Sequence, residues 1–163
     1  MLLVRAVILY SDCEVTIEKS THTLCNMLHD AERPSGSSMV NSLIAANISD
    51  ALPNAIIKHL HNLSIAVHGT KALMLLSASG KPKTLKIIGS SAAKVFIKSL
   101  QCCTSTACND ATKFSLIALK RLSSDPGNLK LLIKLNAIDV CFSNLKLYCH
   151  KDQDKDLANL CMI

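Results

Sequence analysis

Three side chains near the amino terminus have the types and spacing of metal ligands. His22, Cys25 and His29 lie at positions i, i+3 and i+7, which places them on one face of a helix. Structural zinc sites usually take four ligands at paired short spacings, and neither this group nor the cysteine cluster at 102–108 contains a Cys-x-x-Cys pair. We therefore predict that no metal binds there, with the cysteines buried and the histidines at the surface.

Catalytic chemistry has little support in the sequence. The chain has no Gly-rich phosphate loop, no His-Glu-x-x-His motif and only five glycines. His59 and His61 are interpreted as solvated side chains at the end of a helix, not as a pH-sensitive pair. We therefore predict that the protein is not an enzyme and needs no cofactor.

Eight cysteines in 163 residues could form a disulfide framework. The chain is larger and more apolar than a small disulfide-stapled domain, and its cysteines lie within helical apolar patterns. We expect Cys25, Cys141, Cys149 and Cys161 to be reduced and to pack as small hydrophobic side chains. A reducing compartment follows, which we take to be the cytoplasm, with the nucleus as an alternative.

The core must be built from aliphatic side chains, because apolar residues make up 49% of the chain and aromatic residues only 3%. This composition is typical of stacked helices and is poor for a β-sandwich. The apolar segment at 1–10 is interrupted by Arg5 and is not followed by a cleavage pattern, so it is not interpreted as a signal peptide. No apolar run reaches the ~18 residues that a membrane span requires.

A helix–break–helix segment at 118–138 organises the chain, and it has an earlier counterpart at 72–88. In the later copy, Asp125 can cap the second helix, and the proline that follows suits its first position. Leu76 and Leu122, equivalent in the two copies, are 46 residues apart, and other leucine pairs give offsets of 44 and 45. A sustained offset of this size indicates a helical repeat of the armadillo or HEAT kind.

Helical periodicity extends over most of the remaining sequence. It predicts helices over 1–10, 13–30, 39–47, a segment ending at 60, a helix from 64 or 68 to 77, and further helices over 83–88, 92–100, a segment ending at 122, a segment beginning at 126, 139–148 and 156–163. A loop is predicted at 32–38. Breaks are predicted at 49–50, with Pro53 in the first turn of the helix that follows, and at 89–91.

With these segments in view, the chain resembles the armadillo-repeat family. The segment 118–125 (Ala-Leu-Lys-Arg-Leu-Ser-Ser-Asp) fits the family's Ala-Leu-x-Asn-Leu segment and its Ser-x-Asp turn. The segment 132–138 (Leu-Ile-Lys-Leu-Asn-Ala-Ile) fits its Leu-(Ile or Leu)-x-x-Gly-Ala-Ile segment. Further matches lie at 24–27 and 157–160 for the first pattern and at 43–48 for the second.

The resemblance covers nearly the whole chain and implies an all-α fold, a right-handed α-solenoid of armadillo-type helical repeats. It implies one domain over 1–163. The approximate repeats are 1–36 (partial), 37–80, 81–126 and 127–163 (partial).

The chain departs from the family pattern at its glycines. The expected Gly is Ala46 or Asn47 in one repeat and Asn136 in another, and only Gly89 retains it.

A second departure concerns the Asn of the long helix. This residue is present as Asn26 and Asn159 and is replaced by Leu75 and Arg121. In the family it lines the concave groove and hydrogen-bonds the backbone of an extended peptide. The chain has no Trp, which importin-α-like members place beside this Asn, so the resemblance disfavours a receptor for nuclear-localisation signals.

The predicted function is a non-catalytic protein–protein interaction scaffold that binds an extended, acidic segment along its concave groove. Between 81 and 134 the chain has ten basic residues and two acidic ones, and catenin-like members of the family attract acidic segments. The candidate groove residues are Asn26, Lys113, Lys120, Arg121 and Asn159. A solubilising surface is the alternative interpretation of the same charges.

Two other functions stay open. The first and last helices are apolar and lack polar caps, so the chain could be a structural segment of a larger helical-repeat assembly, or it could self-associate through these ends. Basic charge also provides affinity for phosphate, which an RNA-binding helical repeat would use. Nucleic acid is disfavoured, because base stacking needs aromatic side chains and the few present mostly lie at core spacing.

Overall fold

The computed structural model describes residues 2–30, 37–78, 82–102 and 108–149, and all of its regular structure within these segments is helical. This confirms the prediction of an all-α protein. The helices are α1 (Leu2–Leu9), α2 (Glu14–Asp30), α3 (Ser37–Ala45), α4 (Ile48–Lys58), α5 (Leu63–Ala78), α6 (Pro82–Cys102), α7 (Asn109–Ser123), α8 (Pro126–Lys134) and α9 (Ala137–Cys149). The predicted helix at 156–163 and most of the predicted loop at 32–38 lie outside the described residues.

The helices pack in two rows. In the first row α2 packs against α5, and α5 packs against α7. In the second row α1 packs against α4, α4 against α6, and α6 against α9. Short α3 lies on α4, and short α8 contacts α6, α7 and α9. The two rows also contact each other through α1 and α2, α4 and α5, and α6 and α7.

The core lies between these rows and is aliphatic, as the composition predicts. Fully buried side chains come from both rows, among them Leu24, Ile56, Leu73, Phe96 and Leu122. Helix α5 is buried over most of its circumference because it packs against α2, α4, α6 and α7. Its sequence is accordingly apolar on most sides, as expected for a central helix.

The breaks before α4 and α9 have the same backbone conformation. Asn47 and Asn136 have positive φ angles of 65° and 59°, and each connects a short helix to the longer helix that follows. Asparagine enters this left-handed region more readily than other non-glycine residues. Asn136 is a position where the armadillo resemblance predicts glycine, and Asn47 is one of the two candidates for it in the earlier predicted repeat; the two asparagines lie 89 residues apart, about twice the offset of 44–46 residues.

The predicted break at 49–50 is therefore wrong by two to three residues. Helix α4 begins at Ile48, so Ser49 and Asp50 lie inside it. Pro53 is in the interior of α4, not in its first turn. The left-handed residue before the helix turns the chain, and this backbone signal outweighs the capping tendency of Ser49 and Asp50.

The predicted break at 89–91 is also wrong, because α6 runs unbroken from Pro82 to Cys102. Gly89 instead allows α8 to approach α6. A Cβ atom at Gly89 would lie 2.6 Å from Nδ2 of the buried Asn128 in α8. Glycine at this position thus allows two helices to pack closely. The sequence pattern alone favoured its interpretation as a helix breaker, because the contact with α8 involves residues distant in sequence.

The predicted start of α8 is confirmed. Pro126 is the first residue of the helix, and the Oδ2 atom of Asp125 accepts a hydrogen bond from the backbone N–H of Asn128 at 2.9 Å. This is the N-cap arrangement that the order Asp-Pro favours.

Candidate functional site

The predicted groove residues that the structure describes lie on the exposed side of the first row. We call this surface the row face. It is defined by Glu18, His22, Asn26 and His29 on α2, by Ser64, His68 and Lys71 on α5, and by Asp110, Lys113, Phe114, Ile117, Lys120 and Arg121 on α7.

Two side-chain contacts join neighbouring helices across the row face. The ring of His22 meets that of His68 edge-on, with centroids 4.7 Å apart. The Nζ atom of Lys71 lies 5.7 Å from the centroid of the Phe114 ring, within the range of a cation–π interaction. Beneath this surface, burial raises the pKa of the Cys25 thiol, and the nearby positive charge of Lys71 partly opposes that shift.

The three predicted cations lie together on α7. Lys113 and Lys120 are seven residues apart, so they lie on the same side of the helix, and both are exposed. Arg121 is exposed beside them and is seven residues after Phe114. Arg121 therefore shares the side of α7 that carries Phe114, which contacts Lys71 of α5, whereas Lys113 and Lys120 lie roughly a quarter to a third of a turn around the helix from it.

Asn26 does not belong to that group. It is exposed on α2, and α5 lies between α2 and α7. Packed helices have axes about 8–10 Å apart, so roughly 20 Å separates Asn26 from the cations. Leu75, which the predicted repeats place at the position equivalent to Asn26, is 6% exposed and therefore offers no polar group between Asn26 and the cations. Asn159 lies outside the described residues.

Among the described residues, the cations of the row face have no close carboxylate partner. In the segments that the structure describes, no carboxylate oxygen lies within 4.0 Å of the charged nitrogens of Lys71, Lys113, Lys120 or Arg121. Asp110 lies at the amino-terminal end of α7, where the helix dipole favours a negative charge. The carboxyl-terminal half of α7 is left with a positive surface.

A second cluster was missed by the sequence analysis. Glu14, at the start of α2, accepts a hydrogen bond from Nδ2 of Asn62 at 2.7 Å through Oε1. Its Oε2 atom lies 3.3 Å from Nε2 of His61. These two contacts hold the pKa of the Glu14 carboxyl below its usual range, and the hydrogen bond from Asn62 has the larger effect on that pKa.

His59 belongs to the same cluster and is buried. It is 8% exposed, and its Nε2 atom lies 2.9 Å from the carbonyl oxygen of Ser11. The interpretation of His59 as a solvated helix-end residue is therefore wrong, because the turn between α1 and α2 covers the end of α4. No short motif could have revealed the cluster, since its members come from residue 14 and from residues 59–61.

The three residues of α2 that were considered as metal ligands, His22, Cys25 and His29, do not form a common site. Cys25 is buried, whereas His22 and His29 are exposed and His22 packs against His68. Within the described part of the chain, the one group of three potential ligands that the structure brings together is Glu14, His59 and His61.

Comparisons of the chain with protein-family models, with curated proteins and with solved structures find no match. The armadillo resemblance accordingly depends on the quoted residues and their spacing. None of the helices in the described segments combines the length and the apolar character that crossing a membrane requires.

Proposed function

We propose that the protein is a non-catalytic interaction scaffold of armadillo type, which binds an extended acidic segment of another protein along the row face. The observation that carries this proposal is the grouping of Lys113, Lys120 and Arg121 on the exposed side of α7, with Arg121 on the same side of the helix as Phe114, which contacts Lys71. Exposed cations without nearby carboxylates attract acidic ligands over several ångströms.

The order of the helices supports the armadillo arrangement. A short helix, a left-handed Asn and a longer helix occur both as α3–α4 and as α8–α9. In the first of these cases, another long helix, α5, follows and joins the first row. In the predicted repeat between these two, at 81–126, the single helix α6 takes the place of both the short helix and the longer helix that follows it. The right-handed solenoid is part of the proposal.

The mechanism would use different groups at different points of the row face. The guanidinium of Arg121 can hold a carboxylate through two parallel hydrogen bonds, while Lys113 and Lys120 act as point charges. The Lys71–Phe114 pair offers an apolar surface beside a positive charge. Asn26, on α2, is available to hydrogen-bond the peptide backbone. The roughly 20 Å between α7 and α2 corresponds to about six residues of extended chain.

The proposal is tested with a fluorescently labelled, extended peptide rich in Glu and Asp, whose affinity is measured by fluorescence anisotropy at low and high salt. We expect the double variant Lys113→Glu/Arg121→Glu to bind about tenfold or more weakly, which corresponds to about 1.4 kcal/mol. Lys94→Glu/Lys98→Glu is the matched control, because both lysines are exposed on α6, in the second row, and the change in net charge is the same. If the two double variants lose the same amount of peptide affinity, the attraction depends on net charge alone, and binding at the row face is refuted.

A structural role within a larger assembly is the second candidate. It is favoured by apolar side chains exposed on the terminal helices of the described region. Leu2 and Leu9 on α1 are 84% and 72% exposed, and Phe142 on α9 is 58% exposed. Light scattering over a range of protein concentrations tests it. Self-association that Phe142→Lys or Leu9→Lys abolishes would favour this function, and a monomer at all concentrations would count against self-association.

A further inference from the structure

The start of α2 and the residues that follow α4 bring three metal-ligating side chains together. One ligand atom from each of Glu14, His59 and His61 lies within 4.8 Å of the other two. A tetrahedral Zn²⁺ ion with bonds of about 2.0–2.1 Å requires ligand atoms about 3.4 Å apart. The Oε2 atom of Glu14 and Nε2 of His61 already have that spacing, at 3.3 Å. We propose that these three residues bind a zinc ion.

Two of the three ligands are already oriented by hydrogen bonds from outside the cluster. Nε2 of His59 can donate its proton to the carbonyl oxygen of Ser11, which leaves a lone pair on Nδ1. Asn62 holds one carboxylate oxygen of Glu14 and leaves the other for a ligand. Metal-binding histidines and carboxylates usually have such partners, which fix the tautomer and the direction of the lone pairs.

The remaining adjustment is small and falls mainly on His61, whose side chain is 67% exposed and can rotate without disturbing the core. The side chain of Glu14 is 43% exposed, and its Oε2 atom already faces His61 while Oε1 accepts the hydrogen bond from Asn62. Their exposure also allows water to complete the four-coordinate shell, the usual number for zinc. His59, buried against the turn between α1 and α2, would be the fixed point of the site.

The charges near the cluster are compatible with a divalent cation. Two neutral imidazoles and one carboxylate give the ligand set a charge of −1. The ammonium of Lys58 would oppose a cation, but it lies 2.7 Å from Oδ1 of Asp12, whose charge compensates it. Imidazole nitrogens favour zinc over Ca²⁺ and Mg²⁺, which prefer oxygen ligands.

A bound ion would fasten the amino-terminal end of α2 to the carboxyl-terminal end of α4. This inference is independent of peptide binding at the row face, since the cluster shares no residue with that surface. The competing interpretation is a hydrogen-bonded contact between α2 and the α4–α5 turn that binds no metal.

The experiment uses the full chain without a polyhistidine tag, stripped of metal and kept reduced with a phosphine. Zinc uptake from ZnCl₂ is measured by equilibrium dialysis and elemental analysis, and Tm is followed with and without the ion. We expect one equivalent of zinc and a rise in Tm. His61→Gln and Glu14→Gln should each weaken binding by about tenfold or more and remove most of the rise in Tm.

His29→Gln is the matched control, because this histidine is exposed on α2 but outside the cluster. It should bind zinc as the unmodified protein does. Co²⁺ substitution provides a second measurement, since binding by the eight cysteines would give a thiolate charge-transfer band. Lack of stoichiometric uptake, a thiolate band, or unchanged affinity in both His61→Gln and Glu14→Gln would overturn the proposal. Far-UV circular dichroism checks that each variant is folded.

Discussion

Replacement of Gly89 by Ala tests the contact between α6 and α8, because two effects of opposite sign compete at this position. In the interior of a helix, Ala is more favourable than Gly by about 1 kcal/mol. The new methyl group would, however, lie 2.5 Å from Cγ and 2.6 Å from Nδ2 of Asn128. Ordinary van der Waals contacts are about 3.5–4.0 Å, so one of the two groups must move by roughly 1 Å.

The steric effect should outweigh the propensity gain. Overpacking of a buried contact costs about 1–3 kcal/mol, and displacement of a buried amide adds about 1–3 kcal/mol when its hydrogen bonding is disturbed. Asn128 is 6% exposed, and its backbone N–H also donates to the cap at Asp125. After subtraction of the helix propensity, we expect Gly89→Ala to lower the free energy of unfolding by about 2 kcal/mol. For a chain of this length, the corresponding fall in Tm is about 4–8 °C.

Urea unfolding followed by far-UV circular dichroism measures this difference, and a double-mutant cycle identifies its cause. Asn128→Ala removes the three amide atoms that the new methyl group would meet. In that background, Gly89→Ala should be neutral or should stabilise by up to about 1 kcal/mol. A coupling free energy of about 2 kcal/mol between the two sites follows.

Two results would refute this reasoning. One is a stabilisation by Gly89→Ala in the unmodified protein, which would mean that the helices separate without loss. The other is an equal destabilisation in both backgrounds, which would place the cost somewhere other than the contact with Asn128.

Two further predictions concern the backbone and the cysteines. Asn47→Ala and Asn136→Ala should each lower the free energy of unfolding by about 1 kcal/mol, because alanine is strained at their positive φ angles. Substitution of either asparagine by Gly should change the free energy of unfolding by less than about 0.5 kcal/mol. Urea titrations in which the Ala and Gly variants are equally stable would contradict this prediction. Cys13 should react with iodoacetamide faster than Cys25, as measured by mass spectrometry of digested samples. Cys13 is exposed and its pKa is lowered by the Thr16 hydroxyl at 3.2 Å, whereas burial raises the pKa of Cys25. Since a lower pKa leaves more reactive thiolate at neutral pH, Cys13 should retain its advantage at pH 7, and equal rates there would contradict the prediction.

The local features of the fold were largely predictable from the sequence. Apolar periodicity located α1, α2, α5 and α7 to within a few residues, and the order Asp125-Pro126 located the start of α8. Such signals act within one or two helical turns. Two predicted helix breaks were wrong because their residues also occur inside helices. Gly89 lies within α6, and Ser49 and Asp50 lie in the first turn of α4, after the break.

The candidate sites depended more on contacts between distant residues. The cations of α7 were identified from the sequence because they share one helix. Their distance from Asn26 could not be predicted from the sequence, since it depends on the position of α5 between α2 and α7. The association of Glu14 with His59 and His61 was missed for the same reason, because the turn between α1 and α2 lies over the end of α4.

The sequence by itself determined that this chain is helical, that its core is aliphatic, and that positive charge accumulates on the exposed side of α7. These properties follow from the residue types and their spacing along one helix. Only the tertiary structure decided which helix faces are neighbours, why Gly89 is needed beside Asn128, and which side chains surround Glu14. The physical reason is that packing joins residues more than thirty positions apart, and their proximity is a property of the folded core that helical periodicity does not encode.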